Sequence, residues 1–178
     1  MTLPPLRAEH RSPQEAQILG LLGSKESKLE MSLFHKETKK MKPEIIIMLT
    51  HHDVTVKDAG EIFEQCKDLP VKFWGFKNVG LPKDEMKKVA GAMKAAGKTT
   101  FLEVVTYDEA SCLDGAQTAI DCGFDYLMGT VYYDSVAKLL KENGMAYLPF
   151  VGKVSGSPSI LEGTNEEIIQ DAKDLMAK

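Results

Sequence analysis

From residue 43 onward, two hydrophobic rhythms alternate along the chain. Short runs that are almost continuously apolar, β-branched or aromatic occur at 44–49, 71–76, 99–105, 124–128 and 146–151. Such runs suit strands of a parallel sheet covered on both faces. Between them lie longer stretches with apolar residues three and four apart. Leu113, Ala116, Ala119 and Ile120 form one stripe, and Val136, Leu139 and Leu140 form another, the spacing of an amphipathic helix.

The punctuation agrees with this alternation. Thr106 to Glu109 and Thr164 to Glu167 both have the capping-box form, which predicts helix starts. Pro82 suits a first helical turn. Gly97, Gly123 and Gly144 each stand between a helical stretch and a strand-like one, where a left-handed C′ residue is expected. Strand starts recur at a spacing of roughly 21–28 residues, the size of a βα unit.

The pattern therefore predicts an α/β fold of about five βα units. Two architectures fit it: an incomplete or truncated parallel TIM-type (βα)8 barrel, which in full needs about 250 residues, or a five-stranded doubly wound parallel sheet. No GxGxxG or GxxxxGK[ST] follows any of the strand-like runs, so the nucleotide fingerprints common in doubly wound sheets are missing. That favours the barrel. Residues 1–41 are expected to be a polar extension with one short helix after Ser12-Pro13, and residues 42–178 the barrel-like portion.

Composition narrows the partners. With 22 basic and 26 acidic residues the net charge is −4, which points to no nucleic acid or other polyanion. No apolar run reaches the roughly 20 residues of a membrane span. The apolar patch at 18–22 is too short and too far from a basic start for a signal peptide. Cys66, Cys112 and Cys122 show no CxxC spacing and read as reduced thiols. Together these features predict a cytoplasmic protein.

Barrel and open α/β folds carry their chemistry at the carboxyl ends of the strands. That rule selects His51 and Asp53 after the first run, Lys77 and Asn78 after the second, Thr130 after the fourth, and Lys153, Ser155 and Ser157 after the fifth. Glu103 stands inside the third run between Leu102 and Val104. Burying a carboxylate there is costly unless it is paired or used, and Lys77 on the neighbouring strand is an available partner. Such a pair can act as acid and base, or it can be a structural ion pair. His51 and Asp53 could contribute to a metal site, since they point the same way on an extended chain. Two ligands from one segment do not make a site alone, so no metal or other cofactor is expected. Asp53 or Thr55 could instead cap the following helix. The 155–159 loop could hold an anion through its amides and hydroxyls.

Three segments also resemble a known family. Asp68-Leu69-Pro70-Val71 leads into Gly75-Phe76-Lys77, the run from Phe101 to Ala110 follows, and Gly123-Phe124-Asp125-Tyr126 precedes Gly129-Thr130. Together they resemble phosphate-binding (βα)8 barrels of the N-acetylmannosamine-6-phosphate epimerase type. The resemblance implies a catalytic role for Lys77 and a barrel-mouth carboxylate at Glu103, where the family has aspartate. It departs from the family in lacking one βα unit between the first two segments.

The expected function is a sugar-phosphate-type isomerase, epimerase or lyase with a Lys77/Glu103 acid–base pair and a small phosphorylated substrate. One rival is a non-catalytic, barrel-derived binding or assembly module, whose open sheet edges invite association into a homo-oligomer. A weaker rival is a metal-dependent hydrolase using His51 and Asp53.

Overall fold

A computed structural model describes residues 43–156 and 158–178, and Glu44–Lys178 form one compact unit. The short helix expected after Ser12-Pro13 lies outside the described residues. The sheet is built from β1 (Ile46–Met48), β4 (Phe73–Lys77), β5 (Thr99–Glu103), β6 (Tyr126–Met128) and β7 (Ala146–Leu148). These pair in that order, all parallel. Between successive strands run α1 (Ala59–Cys66), α2 (Lys83–Ala95), α3 (Glu109–Cys122) and α4 (Asp134–Glu142), and α5 (Asn165–Met176) comes last.

Strand order follows chain order without reversal. A doubly wound sheet reverses direction at a switch point and places helices on both faces. Here the doubly wound alternative is excluded: the sheet is singly wound, and α1 to α4 pack on a single face. On that face Trp74, Phe76, Leu102 and Leu127 meet Phe63 of α1, Met86 and Met93 of α2, Cys112 and Ala116 of α3, and Val136 and Leu140 of α4 in one buried cluster. Right-handed crossovers in one direction produce this arrangement.

The other face meets the expectation of strands buried on both sides only at its centre, where Gly75 and Phe101 are buried while Phe73 and Tyr126 are partly exposed and Ala146 is exposed. Ladder register places Met48, Gly75 and Phe101 in one row, followed by Tyr126 and Ala146. Phe73, Phe101 and Tyr126 form an aromatic band, with Phe101 edge-on to Phe73 at 5.7 Å and stacked on Tyr126 at 4.5 Å. Among the described residues no helix contributes to this band.

Element ends follow local chemistry, with corrections. The box at Thr164 forms, its hydroxyl accepting from the Glu167 amide while Glu167 accepts from the Thr164 amide. The box expected from Thr106 does not form. Asp108 caps α3 instead and accepts from Ser111 N at 2.9 Å. A carboxylate at Asp108 does the capping two residues further along, with the Ser111 amide as the orphan donor it satisfies. Pro82 is the N-cap of α2 rather than its first helical residue. Asp58, not Asp53 or Thr55, precedes α1. Gly97, Gly123 and Gly144 all take positive φ as expected.

Two hairpins were not expected. β2 (Thr50–His51) pairs with β3 (Val54–Thr55), and β8 (Lys153–Ser155) with β9 (Ile160–Glu162). At the opposite end of the sheet, Asp125 ties β5 to β6 by accepting from the Thr100 amide and hydroxyl, both at 2.8 Å. Burial works to raise the Asp125 carboxyl, but these donors and Lys94 outweigh it and hold it below its usual range. A depressed carboxyl contributes stability above its unfolded pKa, and that contribution is lost as pH falls through the folded value. Asp125→Asn is accordingly expected to melt below wild type at pH 7, with the gap narrowing as pH falls below the unfolded value of about 3.9. Thermal melts at pH 7 and below that value measure this.

Candidate active site

Lys77 and Glu103 are the last residues of neighbouring strands and stand opposite one another in register. Their side chains therefore leave the sheet on the same side, on the face away from the helices. Lys77 Nζ lies 3.7 Å from Glu103 Oε1, and the two side chains are only 12% and 21% exposed. The predicted pair is present. Gly129, with φ of +91°, passes so close that a Cβ there would stand 3.0 Å from Glu103 Cγ. That backbone forms one wall around the carboxylate.

Burial is the main influence on Glu103 and pushes its carboxyl above the ordinary range. Lys77 pulls in the opposite direction without cancelling the effect, and Asp53 adds a small push upward. The group is thus more readily protonated than a solvated glutamate, a shift in the direction that suits a carboxyl that both takes and returns a proton.

Asp53 reaches Lys77 from the β2–β3 hairpin and forms an ion pair with its Nζ. The hairpin has a two-residue turn, His52-Asp53, with φ of +47° and +66°. Turns with both central residues left-handed match the twist of hairpin strands. Aspartate and histidine tolerate that region better than most residues. The turn costs backbone energy of order 1–3 kcal/mol per residue, and it brings the Asp53 carboxylate to the end of the neighbouring strand β4.

Thr55 completes the anchoring. Its hydroxyl accepts from Lys77 N at 2.9 Å and donates to Lys77 O at 2.7 Å, and the residue is 2% exposed. Sequence reasoning offered Thr55, alongside Asp53, as a possible cap of the next helix. Its position in a hairpin lying across the end of β4 could not be read from spacing.

Beside Lys77 is a cavity of about 170 Å³ lined by Asp53, Lys77, Asn78, Val79, Val105, Tyr107 and Gly156. Tyr107 is a second residue that the sequence did not single out. Its hydroxyl donates to Gly156 O at 2.8 Å and lies 2.7 Å from Ser159 Oγ, drawing the β8–β9 connection to the cavity. Its own carbonyl accepts from Tyr133 OH at 2.7 Å. The only signal was position, four residues beyond the Glu103 strand end.

Other expected ligands lie elsewhere. His51 is exposed and packs against the His52 ring. Thr130 is fully buried, its hydroxyl 2.7 Å from Tyr147 OH. Lys153 is paired with Glu162 at 3.3 Å, its side chain 81% exposed. Ser155 is exposed on β8, and Ser157 lies outside the described residues. Among the described residues no group of three His, Cys, Asp or Glu side chains could hold a metal ion. No helix of the described residues is long and apolar enough to cross a membrane.

No family model and no curated protein matches this chain. The functional reading therefore rests on the geometry around Lys77.

Proposed function

We propose that the chain catalyses proton transfer next to the carbonyl of a small sugar-type compound, as an isomerase, epimerase or lyase. The single observation that carries this is the Lys77–Glu103 pair, side by side and largely withdrawn from water at the carboxyl ends of adjacent strands. Glu103 removes or returns the proton at the carbon beside the carbonyl. The Lys77 ammonium stabilises the oxygen on which negative charge develops, an interaction strengthened where water is excluded. Asp53 and Thr55 hold Lys77 in place at its ammonium and its backbone. We further propose that the singly wound sheet is part of a TIM-type barrel, which would put this pair at the mouth where such folds carry their chemistry.

The test is solvent-deuterium exchange at the α-carbon of dihydroxyacetone or glyceraldehyde, followed by NMR with the full chain. Lys77→Met is expected to slow exchange by about 10²–10⁴-fold while leaving the circular dichroism spectrum unchanged. Exchange at the wild-type rate in this variant rules the mechanism out.

A second reading, association of copies, draws support from the aromatic band of Phe73, Phe101 and Tyr126 and from the outer edges of β1 and β7, unpaired among the described residues. Parallel edges left open favour strand addition. Sedimentation at high concentration distinguishes the two, because a persistent monomer removes the assembly reading.

A further inference from the structure

The charges around Lys77 carry the substrate class one step further, on the footing that the proton-transfer reading above is correct. We infer that the ligand held in this cavity is a small uncharged hydroxy-carbonyl compound and not its phosphate ester.

The ammonium of Lys77 already serves two carboxylates. Asp53 contacts it directly and Glu103 stands 3.7 Å away. One cation against two anions leaves the cluster at −1, or at zero when Glu103 carries its proton. A phosphate monoester brings a further charge of roughly −1.5 to −2, which no second cation among the described lining residues offsets. The remaining lining residues are Asn78, Val79, Val105, Tyr107 and Gly156, of which Asn78 and Tyr107 alone have polar side chains. A carboxamide both donates and accepts, which matches hydroxyl and carbonyl groups.

The usual anion holders around the rim are also taken. Every described helix carries its own acid in the first turn: Glu61, Asp84 with Glu85, Glu109, Asp134, and Glu166 with Glu167. Carboxylates at these positions satisfy the helix dipole that would otherwise attract a phosphate. Lys153, the remaining cation of the β8 strand, is paired with Glu162. Both arginines of the chain, Arg7 and Arg11, precede the described residues, so no guanidinium fork, the group best matched to phosphate, stands among them.

Size agrees with a small ligand. A cavity of about 170 Å³ is smaller than the roughly 300–1,000 Å³ of pockets that hold drug-sized ligands. That size suits a ligand as small as a three-carbon hydroxyketone.

The experiment is an amide-shift titration of the ¹⁵N-labelled full chain at pH 7 with dihydroxyacetone, dihydroxyacetone phosphate and inorganic phosphate. Saturable shifts at the Asn78, Tyr107 and Gly156 amides are expected with dihydroxyacetone and should be lost in Lys77→Met. The phosphate ester should bind at least tenfold more weakly, and inorganic phosphate should leave these amides unmoved. Equal or tighter binding of the ester at the same amides overturns the inference and leaves the acid–base reading intact, because deuterium exchange is scored separately. Absence of shifts with dihydroxyacetone also overturns it, and the exchange assay then tells whether the acid–base reading falls with it.

Discussion

Glu103→Gln is expected to lose α-proton exchange by about 10²–10⁴-fold and, at the same time, to melt at a higher temperature than wild type at pH 8. The two effects have one cause. Burial raises the Glu103 carboxyl above its ordinary range, and Lys77 offsets this only in part. A carboxyl whose folded pKa lies above its unfolded value stabilises the native state while protonated. That contribution is complete below the unfolded value, near 4.3 for glutamate, and is lost as pH rises through the folded value. At pH 8 the wild-type protein therefore carries a carboxylate in a place that favours the acid. Glutamine has the shape of the neutral acid and cannot ionise, so it removes this cost but also the proton acceptor. The gain should shrink as pH falls toward 4, where wild type and variant present equally uncharged groups. Melts at pH 5 and 8 alongside exchange rates measure both arms. Undiminished exchange removes Glu103 from the mechanism. A lower melting temperature at pH 8 instead makes the 3.7 Å contact with Lys77 a net stabilising ion pair and removes the argument that the site is held at the expense of stability.

How far the sequence anticipated this site depends on which interactions are local. Strand and helix alternation was legible because the buried row of Trp74, Phe76, Leu102 and Leu127 and the facing helix stripes are periodic along the chain. Lys77 and Glu103 were legible as a pair because one is a charge at a strand end and the other a charge within an apolar run. Strand order was not, since the same βα alternation supports both winding schemes until the ladder pairs are known. The partial exposure of the second face was hidden for a similar reason: Phe73 and Tyr126 look as buried in sequence as Trp74 does, but only Phe101 between them is buried. Thr55 and Tyr107 escaped because each acts across a large separation, 22 residues to Lys77 and 49 to Gly156. The strand-end rule selected Asp53, Lys77 and Asn78 at the cavity, but the other residues it suggested are dispersed, with Thr130 buried beside Tyr147 and Lys153 exposed and paired with Glu162.

Gly75→Ala is the substitution expected to disturb the frame of the site most for the smallest chemical change. Gly75 lies in the middle of β4, in register with Met48 on one side and Phe101 on the other. A Cβ there would stand 2.6 Å from the Phe101 carbonyl oxygen, 2.9 Å from Phe101 Cβ and 3.0 Å from Met48 Sδ. The methionine sulfur can swing aside. The Phe101 backbone can move only if β4 parts from β5, and its ring is held between Phe73 and Tyr126. Replacing glycine by alanine reduces the freedom of the unfolded chain, worth about 0.4–1 kcal/mol in favour of folding. Forcing a methyl group into a filled contact costs about 1–3 kcal/mol, so overpacking wins. A net loss of about 1 kcal/mol lowers the melting temperature by roughly 2–8 °C in domains of this size range. Two residues further along the same strands stand Lys77 and Glu103, so exchange activity should fall together with stability. Gly60→Ala supplies the control. Its Cβ would meet Val89 Cγ2 at an ordinary 3.6 Å inside α1, where alanine is the better helix former by about 1 kcal/mol. That variant should melt at or above the wild-type temperature with full exchange. If Gly75→Ala behaved the same way, β4 and β5 could not be as tightly apposed as the Lys77–Glu103 pairing requires.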